Sequence, residues 1–587
     1  MLRLLGLALL SSSSSAVHGR GSSGPQLTRG SGVTFDEYEA EHGKCGVGSA
    51  PAPCHVPQPG NRSFGSFSSE SSGRQSVRLA RDGEYVEVAA GGAANSVVVR
   101  YSIPDAPAGG GINSSLSLYI DGAFQASLAV TSRFAWDYGY WAIPYSQDPA
   151  DGGAHHFFDE ARVLLPPGVI IAAGTAVRLQ VDARRGDTAP FYMVDLIDLE
   201  MAASPRARPP NSLSIVDFGA QRSERGGGAD ARAAIQATLD AAAKRPGWSI
   251  WIPAGEFAVG AEGYLIVPGN TAVVGAGMWH SNLLGNTRFK CGAQGNGGGA
   301  NNCSYADFAI QGLVQQRTNK GSPHGFVDAA GKGSSLSRVW VEHTACGYWV
   351  GLPGLPTDGL TISDCRIRNT YADGVNLCNG ASNSVIQRSH FRNTGDDSVA
   401  TWSPKGEGGT NANNTVRAVT AQLPWRANCF AVYGGNDHTV EDCRCLDTVS
   451  YPGVSITAGF GSNAFGGTTT IRNTSLVRAG GPMFQPHTQP FGALVLWAQQ
   501  FDLAGVRVGG VTIDDATFSG VQIRGPHTVS GAVLANTTIA GSATYGVEVR
   551  SDAEGSATLR DASISGSGES ATHNAAMASF KLILEQL

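Results

Sequence analysis

Acidic residues recur at one point of a repeated phrase between residues 365 and 402. The phrase RNTYADG places Asp373 after a short turn, and the phrase RNTGDD places Asp396 and Asp397 at the corresponding turn. Carboxylates held close together raise the pKa of at least one member, which can then donate a proton near neutral pH. A protonated carboxylic acid beside ionised carboxylates is the minimal equipment for cleaving a glycosidic bond. The three aspartates are therefore the candidate catalytic residues.

Two other interpretations of these acids stay open from the sequence. Aspartates in the turns of a repeat often only accept backbone hydrogen bonds, as they would in a non-catalytic glycan-binding solenoid. Clustered carboxylates also bind Ca²⁺, which would suit a polysaccharide lyase. A lyase needs a base as well, and the nearby Arg366, Arg368 and Arg392 lie inside strand-like segments rather than with the acids.

Aromatic residues surround the acids in the sequence. Exposed aromatic rings in a groove are natural platforms for sugars, because a sugar ring presents apolar C–H faces. We predict Tyr371 and Trp402, which flank the aspartate turns, as substrate-binding residues, together with Trp349 and Tyr433. The alternative for any one of them is packing between structural repeats.

A repeat with a period of 24 to 26 residues must position these side chains. DGVNL and DSVAT begin at 373 and 397, NCFAV and PGVSI at 428 and 452, and SGVQIR and YGVEVR at 519 and 545. About three short strands per period are typical of a β-solenoid, whose coils stack ~4.8 Å apart. Stacking would bring Asp373 beside Asp396 and Asp397. A β-propeller is less favoured, because its ~40-residue blades need hairpin turns.

The rest of the chain divides around this repeat. The segment 229–245 predicts one helix, with Asp230 as its N-cap, that covers the open end of a solenoid over 213–587. Alternating segments between residues 33 and 201 predict an antiparallel β-sandwich. The proline-rich stretch 202–212 predicts a linker. The sequence therefore predicts an all-β protein with a β-sandwich before a parallel β-helix.

Composition and the N-terminus indicate a secreted protein. Residues 1–19 resemble a signal peptide, with a positive charge at Arg3 and a short apolar core. No apolar stretch is long enough to predict a membrane span. The formal net charge of −6 predicts neither a nucleic-acid partner nor a membrane partner. We expect a monomer.

Ten cysteines and six N-x-S/T sequons agree with export. The spacings Cys45–Cys54 and Cys291–Cys303 suit local disulfides in an oxidising compartment, whereas Cys443-x-Cys445 is only weakly indicative of a metal. The sequons, which predict a glycoprotein, begin at Asn61, Asn113, Asn302, Asn413, Asn473 and Asn536.

Three segments around the helix, SIVDFGAQ, AAIQATLDAAA and WIPAGEF, resemble the start of right-handed, pectate-lyase-like β-helices. The stretch ADGVNLCNGASNSVIQRSHFRNTGDDSVATW resembles glycoside hydrolase family 87, the α-1,3-glucanases and mycodextranases. This resemblance implies endo-hydrolysis of α-1,3-glucan with inversion and without a catalytic cofactor. It also implies Asp396 as general acid, with Asp373 and Asp397 activating the water. Inverting enzymes usually hold acid and base ~6.5–9.5 Å apart, which neighbouring coils could provide.

Two other families share the fold and remain competitors. Polygalacturonases also place one Asp on a coil and Gly-Asp-Asp on the next, but their Gly-His-Gly and Arg-Ile-Lys motifs have no counterpart here. Where Gly-His-Gly is expected, this chain has YGGNDH. The difference favours a neutral glucan over a uronate polymer. Dextranases of family 49 are the second competitor, and the sequence does not separate α-1,3-glucan from nigeran.

The sandwich resembles carbohydrate-binding modules of families 6 and 35 at its first and last strands, FDEYEAEHG and VDLIDLE. That resemblance implies a structural Ca²⁺ held by Glu39, Glu41 and Asp195 or Asp198. The alternative is that these are solvent-facing acids on edge strands.

Overall fold

The computed structural model describes residues 29–139, 146, 148–223, 227–260, 262–292, 299–315, 323–483 and 489–586. The predicted signal peptide over 1–19 lies outside the described residues. The described chain is almost entirely β, with antiparallel sheets first and a parallel solenoid after them, as predicted. No helix in the described ranges is long and apolar enough to cross a membrane.

The N-terminal region is a sandwich of two antiparallel sheets around an apolar core. One sheet contains Phe35–Glu39, Val77–Leu79, Ser96–Ser102, Asp159–Leu164 and Tyr192–Glu200. The other contains Lys44–Val47, Ala50–Ala52, Glu84–Ala89, Asn113–Ile120, Ala123–Thr131 and Ala176–Gln180. A small antiparallel pair consists of Trp136–Asp137 and His155–His156, and 3₁₀ turns span Ala40–His42, Ser72–Arg74, Pro149–Asp151 and Ala183–Arg185.

The strand Tyr192–Glu200 is buried along its whole length, which is unusual for a sequence that alternates with acids. Val194, Ile197 and Leu199 face the sandwich core. Asp198 and Glu200 face the solenoid, where arginines meet them. The alternation therefore reflects two buried faces, one apolar and one ionic.

The solenoid has about 12 coils, and most coils contribute three short strands. One sheet contains Gly263–Val267, Thr287–Cys291, Phe326–Asp328, Tyr348–Val350, Val375–Leu377, Val399–Trp402, Phe430–Tyr433, Val454–Thr457, Leu494–Trp497, Val521–Arg524, Tyr545–Val549 and Ser570–Asn574. The predicted spacings are confirmed, because Val375 pairs with Val399, Phe430 with Val454 and Val521 with Val547.

A second, bent sheet supplies the other two strands of most coils. Its members are Ser212–Ser214, Ser249–Ile252, Gly255–Ala258, Ala272–Gly275, Ser281–Leu284, Ser304–Gln311, Ser335–Glu342, Thr361–Ser363, Arg366–Arg368, Val385–Gln387, His390–Arg392, Thr415–Arg417, Thr420–Gln422, Thr439–Glu441, Arg444–Leu446, Thr469–Arg472, Ser475–Val477, Leu503–Ala504, Val506–Gly509, Thr512–Asp514, Thr528–Ala535, Thr538–Ala540, Glu554–Arg560, Ser563–Ser565 and Phe580–Glu585. Two further short strands, Gly435–Asn436 and Phe465–Gly466, pair with each other. Inward-facing aliphatic residues stack coil upon coil, as in the column Ile362, Ile386, Val416, Val440 and Ile471.

The helix Arg232–Ala243 packs against the first coils through its buried face, which includes Ile235 and Leu239. A 3₁₀ turn over Ile215–Phe218 precedes it. The Asp230 carboxylate accepts a hydrogen bond from the backbone N–H of Arg232 (2.9 Å), so it caps the helix from one residue before the N-cap position. The helix covers backbone groups that would otherwise be exposed at the end of the sheet.

The two predicted disulfides, Cys45–Cys54 and Cys291–Cys303, are present. A third disulfide, Cys429–Cys445, joins neighbouring coils and was not predicted, because it depends on coil stacking rather than on a short loop. It also uses one cysteine of the C-x-C pair, which disfavours a metal there.

The sandwich and the solenoid meet through buried ion pairs. Arg368 and Arg392 are fully buried in the solenoid, and both contact Glu160 and Asp198 of the sandwich. Arg366 forms a two-point contact with Glu200 at 2.7 and 2.8 Å. Because guanidinium and carboxylate groups are desolvated together here, the two regions form one folded unit.

Candidate active site

Coil stacking brings Asp373, Asp396 and Asp397 to one place. The backbone N–H of Gly347 donates to the Asp373 carbonyl (3.1 Å), and the N–H of Gly374 donates to the Asp397 carbonyl (2.9 Å). Asp373 and Asp397 therefore occupy equivalent positions on successive coils. One carboxylate oxygen from each of the three aspartates lies within 4.8 Å of the others.

The repeated phrase RNT builds the turn before each acid. Asn369 and Asn393 adopt positive φ angles of 51° and 56°, a conformation for which Asn is well suited. The hydroxyl of Thr370 then donates to the Ala372 carbonyl (2.7 Å), and that of Thr394 donates to the Asp396 carbonyl (3.0 Å). These contacts orient the two acid-bearing turns in the same way.

Gly395 leaves no room for a side chain in the second turn. A Cβ atom at this position would lie 2.3 Å from the Trp425 ring and 2.7 Å from the Thr370 carbonyl oxygen. The close approach of the coils therefore requires glycine directly before Asp396.

Asp397 is the most constrained of the three acids. Burial, followed by the negative charge of Asp396, raises the pKa of Asp397 to about 7. Asn428 partly offsets this effect, because its backbone N–H (3.0 Å) and its side-chain amide (2.6 Å) both donate to Asp397 Oδ1. We infer that Asp396 and Asp397 share one proton near neutral pH.

Asp396 is the most accessible of the three, with 24% of its side chain exposed, against 5% and 3% for the whole residues Asp373 and Asp397. The Arg426 guanidinium lies 3.9 Å from its carboxylate. The arrangement leaves one carboxyl group facing the solvent side of the cleft and two lying deeper.

The acids line a cleft of about 350 Å³. Three of the four predicted sugar platforms line it as well, namely Trp349, Trp402 and Tyr433. The remaining lining residues are Asn376, Arg426, Ala427, Tyr451 and Phe460. Asn376, Arg426 and Phe460 were missed from the sequence. The sequence offers one signal for Phe460, which is an aromatic residue between two glycines, as expected in an exposed turn, and the structure shows that it is exposed.

The prediction that Tyr371 contacts substrate is wrong. Tyr371 is 2% exposed and packs in an apolar cluster with Trp425 and Phe157. Phe157 comes from the sandwich, and its ring centroid lies 4.0 Å from that of Trp425. Flanking an acid in sequence did not place the ring in the cleft, because the turn directs Tyr371 inward.

The predicted calcium ligands separate into two environments. Asp198 does not fit a cation site, because Arg368 and Arg392 already contact it. Asp195 pairs with Arg100 and accepts a hydrogen bond from the Ser72 N–H. In the described ranges, Glu39 Oε2 and Glu41 Oε2 are buried without hydrogen-bond partners, which suits a hard cation. The described part of the chain does not bring Glu39, Glu41 and Asp195 within 4.8 Å of one another.

The separation of acid and base expected for an inverting enzyme stays a prediction. The closest oxygens of the three carboxylates lie within 4.8 Å, below the ~6.5–9.5 Å usual in inverting enzymes. Asp373 and Asp397 are equivalent residues of adjacent coils, which are one strand spacing apart (~4.8 Å), and Asp396 directly precedes Asp397 in the chain.

Comparison with known proteins identifies the family. Residues 229–580 match the family model "alpha-1,3-glucanase catalytic domain D2", and residues 32–202 match "alpha-1,3-glucanase catalytic domain D1". The curated mannuronan C5-epimerase AlgE3 of Azotobacter vinelandii is 30% identical over 182 residues. That match takes in 28% of this chain and only 9% of the epimerase.

Solved structures match over nearly the whole chain. The catalytic domain of Agl-KA has a TM-score of 0.81 and 25% identity, and the match covers 97% of this chain and 100% of that one. An aspartate-to-alanine variant of a family 87 alpha-1,3-glucanase, in complex with tetrasaccharides, has a TM-score of 0.81 and 26% identity, covering 94% and 99%. The catalytic unit of the Streptomyces thermodiastaticus HF3-3 enzyme has a TM-score of 0.77 and 27% identity, covering 95% and 97%. The chain belongs to the alpha-1,3-glucanase catalytic-domain family, glycoside hydrolase family 87.

Proposed function

We propose that this protein hydrolyses α-1,3-glucosidic bonds within α-1,3-glucan. One observation carries the proposal: Asp373, Asp396 and Asp397 converge in a cleft lined by aromatic rings. The family models that match the sandwich and the solenoid support the substrate, as does the tetrasaccharide complex of the related enzyme.

We propose Asp396 as the general acid, with Asp373 and Asp397 holding the attacking water. Asp396 is the carboxyl group that a glycosidic oxygen of a long polymer can reach from solvent. Asp373 and Asp397 lie one coil apart and can each accept a hydrogen bond from a single water molecule, and one of them takes its proton as the oxygen attacks the anomeric carbon. The chemistry needs no metal ion.

Inversion is supported by the number of acids rather than by their spacing. A retaining enzyme uses two carboxyl groups, one of which attacks the anomeric carbon. Here a third carboxyl group is available, so that a pair can hold water while the remaining acid protonates the leaving oxygen. The resemblance to family 87 supports the same outcome.

The anomeric form of the first product tests this mechanism. We expect insoluble α-1,3-glucan to release β-anomers first in NMR spectra, and we expect dextran and polygalacturonate to be poor substrates. Nigeran belongs in the same comparison. Initial α-anomers would contradict inversion.

Unsaturated products absorbing in the ultraviolet would instead indicate a lyase. The arginines near the acids in sequence do not support a lyase, because sandwich carboxylates contact them.

The pH dependence of kcat/KM should respond to Asn428. Hydrogen bonds from Asn428 lower the pKa of Asp397, so Asn428→Ala should raise it and let the acid pair keep its proton to higher pH. We expect the alkaline fall in kcat/KM, near pH 7 in the parent, to move upward by about one pH unit, or ~1.4 kcal/mol. Asn383→Ala, at an exposed position, is the control. A downward shift, or none, would contradict the shared proton.

Secretion is also a proposal. It rests on the N-terminal sequence and on the disulfides. N-glycosylation is a further proposal, and the side chains of Asn113 and Asn536 are exposed and could accept a glycan. A structural Ca²⁺ in the sandwich is a further proposal, which now rests on Glu39 and Glu41.

A further inference from the structure

A second cluster of ligand-type side chains lies in the sandwich, apart from the cleft. Glu70, His155 and His156 each offer one ligand atom, and all three atoms lie within 4.8 Å of one another. In the described ranges, the only other group of three such residues is the aspartate cluster. Two imidazoles and one carboxylate form a donor set that differs in kind from three aspartates.

The distances in this cluster match a metal coordination shell. His155 Nε2 lies 2.9 Å from Glu70 Oε1, and His156 Nε2 lies 3.6 Å from Glu70 Oε2. Two ligands bound at ~2.0–2.1 Å to one tetrahedral Zn²⁺ are separated by about 3.3 Å. The observed spacings lie on either side of that value.

His156 supplies the second, independent observation. The residue is 7% exposed, and its Nε2 atom is buried without a hydrogen-bond partner in the described part of the chain. The ring also hydrogen-bonds to the Ser66 backbone, and because Nε2 is unpartnered this contact falls to Nδ1. A histidine that binds metal through one nitrogen commonly donates its other N–H to a backbone carbonyl.

The surroundings hold these groups in position. The Phe64 ring stacks on His155 with centroids 4.6 Å apart, and the Phe67 ring stacks on His156 at 3.8 Å. The backbone N–H of Gly65 donates to Glu70 Oε1 at 2.8 Å.

We infer that Glu70, His155 and His156 bind Zn²⁺, with the remaining coordination position left to water. Imidazole and carboxylate ligands suit Zn²⁺, whereas Ca²⁺ prefers oxygen alone.

The position of the site suggests a structural role. Glu70 begins a segment whose Gly73 N–H donates to Asp447 of the solenoid (3.2 Å) and whose Arg74 pairs with Asp515. On the other side, Phe157 follows the two histidines and packs on Trp425 behind the cleft. A bound ion would therefore join two segments that both contact the solenoid.

Zinc titration of the chelator-treated full chain tests the inference. We expect one Zn²⁺ to be retained at the cluster after dialysis, with a rise in Tm, and at least about 100-fold weaker retention in His156→Gln. Glu70→Gln, which preserves shape, should have the same effect if His156→Gln does not fold. His55→Ala, at an exposed histidine of the sandwich, is the control. Equal retention in the parent and both cluster variants would overturn the inference, as would no retention by the parent.

X-ray absorption at the zinc edge separates the two clusters without any substitution. Two imidazole ligands and at least one oxygen are expected for the site in the sandwich. A shell of oxygen ligands alone would place the ion at carboxylates elsewhere, such as the aspartate cluster or Glu39 and Glu41, and would overturn the inference.

Discussion

Asp396→Asn should lower kcat on α-1,3-glucan by about 10²–10⁴-fold, the usual contribution of a positioned general acid. Asparagine keeps the size of the side chain but cannot donate a carboxylic acid proton to the leaving oxygen. Asp397→Asn should cause a comparable loss, because it removes one of the two acceptors proposed for the attacking water. Reducing-sugar release measures both effects. Asp364→Asn, at a partly exposed acid of the same coil region, is the control and should keep the parent kcat.

Stability distinguishes a catalytic acid from a turn acid. The pKa of Asp397 is raised in the folded protein, so ionisation of this group costs stability as the pH rises above its ordinary value. Asp397→Asn should therefore unfold at the same or a higher temperature at pH 8. If the aspartate only supported the turn, the variant would keep its activity and lose stability. That result would contradict the catalytic assignment.

Arg392→Met should destabilise the protein by about 3–5 kcal/mol, the usual cost of leaving buried charges without a partner. Arg392 contacts Glu37, Glu160 and Asp198, and its side chain is fully buried. Denaturant unfolding followed by circular dichroism measures the loss. Arg388→Ala is the matched control, because its contact with Asp364 is about half exposed and should contribute less than about 1 kcal/mol. Equal effects of the two variants would contradict a rigid ionic interface.

The same interface should weaken in acid. Burial alone would raise the pKa of Glu160, but the charges of Arg368 and Arg392 outweigh burial and lower it to about 2. The stabilisation from Glu160 is therefore fully present above its ordinary value of 4.5 and is lost as the pH falls toward 2. In Arg392→Met this acid-dependent part of the unfolding free energy should shrink.

The solenoid and its acids could be predicted because both follow from local repetition. The period of RNTYADG and RNTGDD fixed which coils carry Asp373 and Asp397, and parallel stacking then determined their proximity. The two short-range disulfides were predictable for a similar reason, since few residues separate their cysteines.

Contacts between distant segments could not be predicted in this way. In the sequence, Arg368 and Arg392 resemble ordinary strand residues. Only the folded chain shows that they contact Glu160 and Asp198. The acids in VDLIDLE were assigned to Ca²⁺ because nothing in the sequence indicated that Asp198 faces two guanidinium groups. Tyr371 was misplaced because its partner Phe157 comes from the sandwich. Asn428, whose hydrogen bonds lower the pKa of Asp397, lies on the following coil, 31 residues away in the sequence.

The ionic interface also imposes an order on synthesis. The sandwich side, ending at Glu200, leaves the ribosome 166 residues before Arg366, the first of the three solenoid arginines that contact it. At ~5–20 residues per second this delay lasts roughly 8–33 s. During that time the nascent sandwich presents an acidic face to water, and like charges discourage two nascent chains from associating through it. The arginines arrive later, inside coils that can dock on a finished surface. The sandwich is thus made before the arginines that cover its acidic face.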